Sequence, residues 1–232
     1  MSENNSISGK LIVIDGTDGS GKQTQSKLLI ERLKSIGHNA VYFDFPQHGQ
    51  PSAALVDMYL NGEFGKLEGI NGAKVASGFY AFDRFCAAPK IRKVLESGGT
   101  AICDRYESAN KGHQAGKIHD LVERDKFLAW LEHLEFDIFG IPRPDMNILL
   151  YVSTAINQQL VDMKNKREYL NGKIRDIHEN DLQHLNDAAS AFLYCARKYD
   201  WSVIYCAPDG VILPVEEIHE MVWKEIEKKF TI

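Results

Sequence analysis

The run Leu11-Ile12-Val13-Ile14 passes through Asp15 into GTDGSGKQT, residues Gly16 to Thr24, and then into a stretch with helical spacing. A strand, a glycine-rich loop and a helix therefore follow in order, the context in which such a loop is read as a phosphate cradle. Gly16, Gly19 and Gly21 let backbone N–H groups turn inward around a polyphosphate at the start of the helix, where the dipole also favours anions. Lys22 adds a point charge aimed at the same place. The whole loop, Gly16, Thr17, Asp18, Gly19, Ser20, Gly21, Lys22, Gln23 and Thr24, is thus expected to hold a nucleoside triphosphate. The strict pattern places Ser or Thr directly after the lysine; here Gln23 stands there, with Thr24 next.

The chain has 232 residues, 44% hydrophobic and 25% charged, enough for one large α/β domain with a substantial core. Its formal net charge of −5 argues against broad nucleic-acid binding or adhesion to an anionic membrane, either of which needs a basic face. The four cysteines, Cys86, Cys103, Cys195 and Cys206, form no CxxC pair, and two lie in apolar runs. Reduced thiols are expected, not disulfides or a metal site. Residues 1 to 9 are polar, without a basic start or an apolar stretch behind them, and read as a flexible tail and not an export signal. The longest apolar run, Ile148 to Val152, is far too short to span a bilayer. The expectation is a cytoplasmic protein.

Short apolar runs recur at 11–14, 40–45, 100–103, 147–152 and 202–206, separated by segments long enough for helices. That alternation predicts an α/β fold with a five-stranded, mostly parallel sheet covered by helices on both faces. Leu29, Leu33 and Ile36, and later Leu182, Leu185, Ala189, Phe192, Ala196 and Tyr199, have the spacing of core-facing helices. Pro214 marks the start of a last helix, with Ile218, Val222 and Ile226 inward. No linker divides residues 10 to 232, which read as a single domain. Loops after the strands open on one edge of such a sheet, and ligands bind there.

The chemistry gathers at that edge. Asp104 ends the apolar run Ala101-Ile102-Cys103, the place where phosphate-loop enzymes keep a carboxylate that organises magnesium. Arg105 follows it directly. The segment Lys164 to Arg175, KNKREYLNGKIR, carries five basic residues against one glutamate in an otherwise acidic chain. It reads as a basic lid at about 164–178, closing cations over ATP and excluding water. No HRD-type aspartate is present to deprotonate a hydroxyl acceptor. A phosphate monoester, with its second pKa near about 6, needs none, so positioning and charge neutralisation suffice for a nucleotide acceptor.

GTDGSGKQTQ, DFPQHGQPS, YAFDR, ICDRYESANKGHQAGK and KREYLNGKIRDIHENDLQHL, in this order and spacing, resemble the thymidylate kinases, the P-loop kinases of dTMP, from about residue 9 to the C-terminus. The resemblance implies the P-loop NTPase fold, ATP and Mg2+, dTMP as acceptor and a homodimer. It implies catalytic roles for Lys22, Arg105 and the lid residues Arg167 and Arg175, with Arg105 bridging donor and acceptor phosphates. Asp104 would organise the metal, with Thr24 reaching it through water. Asp18 would take the deoxyribose 3′-hydroxyl. Phe45 and Tyr80 would line the base, Arg84 would reach a thymine carbonyl and Asn110 its polar edge. His113 would stand near the 2′-carbon, with Gln114 beside it in the acceptor site. Asp176 and Glu179 are similar to the acidic residues that follow the lid.

The chain also departs from that pattern. Gln23 replaces a hydroxyl that commonly ligates magnesium, Gln47 and His48 stand where an arginine usually clamps the acceptor phosphate, and Ala109 replaces a common serine. Two other readings therefore stay open from the residues themselves: a nucleoside or other nucleotide kinase on the same scaffold, and a nucleotide-binding protein without catalysis.

Overall fold

A computed structural model describes residues 9–17, 19–156 and 182–230. Tail residues 1–8, Asp18, and the lid with Arg167, Arg175, Asp176 and Glu179 lie outside the described residues. Gly9, read as the last residue of the tail, is buried, and its N–H donates to the Leu95 carbonyl at 3.1 Å.

The five expected strands form β1 (Lys10–Gly16), β2 (Ala40–Asp44), β3 (Thr100–Asp104), β4 (Met146–Tyr151) and β5 (Ser202–Tyr205). Their order across the sheet is β2-β3-β1-β4-β5, and each neighbouring pair is parallel, so the sheet is wholly and not mostly parallel. Between them run α1 (Lys22–Ser35), α2 (Ala54–Leu60), α3 (Gly69–Glu96), α4 (Glu107–Gly116), α5 (Leu121–Glu132), α6 (Leu182–Lys198) and α7 (Val215–Lys229). A π-helical turn, His133–Ile138, extends α5.

Both faces of β1 are buried, and its side chains sort by parity as a strand requires. Ile12 and Ile14 join Leu29, Leu33, Val222 and Ile226 in the core under α1 and α7. Leu11 and Val13 face the other way, into a cluster with Ala87, Ala88 and Ile91 of α3. Leu149 of β4 points to that second side as well, meeting Phe127, Leu128, Phe192 and Cys195 beneath α5 and α6. The expected helix stripes hold with two exceptions. Ile36 is half exposed because α1 ends at Ser35, and Leu182 is exposed at the start of α6.

Helices α4 and α6 lie close together, and glycine is the reason. A Cβ on Gly112 would sit 2.3 Å from ring carbons of Phe192, and one on Gly116 would lie 2.9 Å from the Ala188 backbone nitrogen. Lys111, one position earlier, is buried between Glu107 and Glu132, at 2.6 and 2.7 Å, with its ammonium 3.6 Å from the centre of the Tyr199 ring. This polar network fixes α4 against α5 and α6, the elements on which the second half of the site is built. Substituting Gly112→Ala should destabilise the protein by about 1–3 kcal/mol, the ordinary cost of overpacking. Urea unfolding of the variant beside the wild type measures it.

Candidate active site

Strand register brings the acidic and basic groups together. Asp104 pairs with Ile14 on one side and with Asp44 on the other, so β2 and β3 end level at one edge and β1 runs two residues further, to Gly16. Gly16 closes β1 opposite Leu150, where a Cβ would come within 2.3 Å of the Leu150 carbonyl oxygen. Only glycine lets the chain leave the sheet at that point. Gly21 then caps α1 in the left-handed region (φ 86°), a conformation that costs glycine little. No acidic residue stands in the first turn of α1, which leaves its N-terminal dipole free for an anion.

Lys22 is buried, and its ammonium donates to the carbonyls of Gly16 at 3.0 Å and Thr17 at 2.8 Å. The loop is therefore wrapped around its own lysine. Ser20 is also buried inside the loop, and its hydroxyl has no hydrogen-bond partner in the fold. Gln23 and Thr24 are exposed on the first turn of α1. Asp15, at 1% exposure, accepts from the Gly16 N–H at 2.8 Å and from the Ser108 hydroxyl at 2.7 Å. Burial pushes its carboxyl up to about 6, against Ser108, Lys22, Arg105 and the Gly16 N–H, which pull it down.

Asp104 is 4% exposed. One oxygen accepts from the Tyr42 hydroxyl at 3.2 Å, while Oδ1 is buried with no hydrogen-bond partner. Asp44, level with it on β2, has its carboxyl held above the usual range by burial and by the neighbouring Asp104. Arg105 has a left-handed backbone (φ 62°), and its N–H donates to the Ile14 carbonyl at 3.0 Å. A non-glycine residue in that region costs about 1–3 kcal/mol, and such outliers concentrate at functional sites. The turn spends that energy to bring Arg105 back across β1.

The residues expected on the acceptor side lie on α3, α4 and just after β2. Phe45 is almost fully buried and meets Tyr106 edge to face at 5.6 Å. Tyr80 meets Tyr59 edge to face at 6.3 Å and is half-buried. Asn110 and Gln114 are buried on α4, and Gln114 Oε1 has no hydrogen-bond partner. His113 stacks on His184 of α6 at 5.7 Å. The position read as a missing arginine clamp is fully committed elsewhere. Gln47 gives its backbone N–H to Asp83 Oδ2 at 2.8 Å and its side-chain amide to Asp83 Oδ1 at 3.0 Å. His48 pairs with Asp57.

Arg84, a charge within the apolar stretch FYAFDRF, is held by partners inside the fold. It is 1% exposed and grips Glu135 with two nitrogens, Nε at 2.7 Å, while a third donates to the Tyr106 carbonyl at 3.2 Å. Asn110 donates to the same Glu135 at 3.5 Å and to the Ser77 carbonyl at 3.3 Å. Burial pushes the Glu135 carboxyl up against the pull of this guanidinium. Glu135, Asp83, Ser108 and Tyr42 are the site-building residues that motif reading passes over. Asp83 could have been found as a second charge in the apolar stretch FYAFDRF, whereas Glu135 lies in a π-helical turn whose spacing no α-helical template fits.

Arg84→Leu should strand the Glu135 carboxylate without a partner and cost about 3–5 kcal/mol. The deficit should shrink as the pH falls and the buried carboxyl takes up a proton. Urea unfolding at pH 7.5 and pH 5 tests both the size and the sign.

Among the described residues no helix is long and apolar enough to cross a membrane. A family profile for thymidylate kinase matches residues 14–204. The chain is 30% identical over 174 residues to the thymidylate kinase of Mycobacterium tuberculosis (strain H37Rv), covering 75% of this chain and 79% of that protein. It is 30% identical over 147 residues to the human thymidylate kinase, covering 63% of each. Among solved structures, the thymidylate kinase of Candida albicans superposes with a TM-score of 0.69 at 21% identity, over 95% of this chain and 92% of that one, a likeness of fold. With the match extending from β1 into β5, this chain belongs to the thymidylate kinase family.

Proposed function

We propose that the chain phosphorylates dTMP with ATP as donor, giving dTDP and ADP by in-line displacement at the sheet edge. The observation that carries this reading is that Lys22 and Arg105 both act electrostatically on Asp15 near the end of β1, with Asp104 closing the neighbouring β3, the phosphate loop on one side and the buried polar residues of α4 on the other. In this assignment residues 16–24 hold the ATP phosphates, Lys22 follows the transferring group, and Arg105 bridges donor and acceptor. Asp18, Phe45, Tyr80, Arg84, Asn110, His113 and Gln114 form the acceptor site. Arg84, already neutralised by Glu135, is left as a directional donor held rigidly and not as a loose charge. Arg167 and Arg175 supply the remaining cations from the lid, and residues 10–232 work as one catalytic domain.

Magnesium belongs to this reading. Asp104 suits it, since Oδ2 is held by Tyr42 and Oδ1 is a buried acceptor without a hydrogen bond. Among the described residues no group of three potential ligands forms a closed metal cage. That fits an ion that is held by one or two carboxylates, nucleotide phosphates and water. Thr24 completes the shell through water. When bound, the ion neutralises charge on the β- and γ-phosphates. The acceptor phosphate is already anionic, so this chain's residues need to orient it, exclude water and offset charge, with no proton to remove.

A homodimer is part of the same proposal. Val75, Phe82 and Phe85 on α3 are about half exposed, and the Phe139 ring lies tilted against both phenylalanines at 5.0 and 5.3 Å. A stripe of this kind on a water-facing helix invites a second copy. All four cysteines are free, three of them buried, which supports the cytoplasm as the working compartment.

A coupled assay of ADP release with dTMP, dUMP, dCMP and thymidine should give the highest kcat/KM on dTMP; faster turnover of thymidine overturns the assignment in favour of a nucleoside kinase. Lys22→Met should lower kcat by about 10²-fold or more, as loss of a preorganised charge at the transferring group does. Nucleotide binding without any turnover at saturating magnesium would instead mark a non-catalytic binder. Phe85→Glu should shift the species seen by light scattering from dimer to monomer.

A further inference from the structure

Asp15 lies beneath the phosphate loop, at the last side chain before the chain leaves β1. One oxygen receives the Gly16 N–H of the donor-side loop at 2.8 Å, and the other receives the Ser108 hydroxyl of α4 at 2.7 Å. The carbonyl of that same Gly16 holds the Lys22 ammonium at 3.0 Å. A continuous line of contacts therefore joins α4, which carries Asn110, His113 and Gln114, to the lysine of the phosphate loop, across 93 residues of sequence. We infer that Asp15 is a positioning residue for phosphoryl transfer, its two oxygens setting the spacing between the ATP-binding loop and the acceptor-binding helix. This inference rests on the two-nucleotide reading of the site.

The chemistry explains why a carboxylate stands there. Lys22 of α1 and Arg105 of the turn after β3 both face it electrostatically, Ser108 faces it from α4, and β4 presents Leu149 opposite. An ionised acceptor makes hydrogen bonds about twice as strong as a neutral one, and it also draws the two cations toward a common point. An asparagine could still accept from Gly16, but its amide would present N–H groups to Ser108 and no charge to Lys22 or Arg105.

That arrangement is costly to the free protein. A carboxyl whose folded pKa is raised from 3.8 to about 6 carries no penalty below its unfolded value. The penalty grows as the pH rises between the two values and is complete above the folded one. A residue kept only to hold the fold together would not be expected to weaken it at neutral pH. Reach between two substrates accounts for its presence.

The test compares Asp15→Asn, Ser108→Ala and the double variant with the wild type, using whichever monophosphate the wild type phosphorylates best. Asp15→Asn should lower kcat by about tenfold, the equivalent of one charge-assisted hydrogen bond, and leave the Kd of ADP alone and of dTMP alone within about twofold. The double variant should be no slower than Asp15→Asn, because both changes cut the same link. Melting temperature should rise in Asp15→Asn at pH 7.5, with the gain fading toward pH 4. A kcat within about twofold of wild type, additive losses, weakened binding of a single nucleotide that accounts for the whole effect, or a lower melting temperature at pH 7.5 each overturns the inference. A wild type that prefers another acceptor corrects the substrate and leaves the variant ratios to decide this point; one that turns over no acceptor overturns both.

Discussion

Parallel strands that end level force like charges together, and the rest of this structure answers that constraint. Asp44 and Asp104 are direct partners across β2 and β3, and Asp15 is the last side chain of the neighbouring β1. Burial raises the carboxyls of both Asp15 and Asp44, and at Asp44 the neighbouring Asp104 adds repulsion to it. Three devices hold them: hydroxyls from Tyr42 and Ser108, the Gly16 N–H, and the cations Lys22 and Arg105. What the fold leaves unanswered is the buried Asp104 Oδ1, an acceptor without a hydrogen bond among the described residues. On the proposed reading a metal–nucleotide complex would answer it with a counter-ion.

The acceptor half is built on the opposite principle. Its charges are paired before any ligand arrives. Arg84 is locked to Glu135 and Lys111 to Glu107 and Glu132, while the neutral amide of Gln47 bonds the Asp83 carboxylate. A buried ion pair contributes little net stability, but removing one partner is expensive, so each pair makes its neighbours hard to change singly. What this arrangement supplies is direction: a guanidinium held at several nitrogens can offer its remaining hydrogens along only one line. Specificity for a flat base needs that rigidity more than it needs raw charge.

Much of this was legible in the sequence for a physical reason. Strand and loop residues such as Ile12, Gly16 and Asp104 follow local rules of parity, turn geometry and strand ends, so period and punctuation sufficed to place them. The sheet edge followed from handedness alone. Partners drawn from distant segments were not legible. Ser108 and Asp15 are 93 residues apart, Arg84 and Glu135 are 51 apart, and nothing in either neighbourhood names the other. Gln47 shows the same limit from the other side. Read as a gap in a clamp, it is a bond to Asp83, because pairing is a property of the folded chain and not of the motif.

The glycines of α4 connect these two halves. Gly112 and Gly116 let α6 press against α4 so closely that Phe192 occupies the space a methyl group would need. His113 then stacks on His184, at the first turn of α6. One face of α4 therefore presents Ser108 to Asp15 beneath the phosphate loop, while another is clamped by the helix that begins just after the basic segment. Packing this dense between the Phe192 ring and the α4 backbone leaves no void to take up a shift of one helix against the other. Helix α4 thus touches both the end of β1, through Ser108 and Asp15, and the helix that follows the basic segment, and its glycines are what let it lie so close to the second.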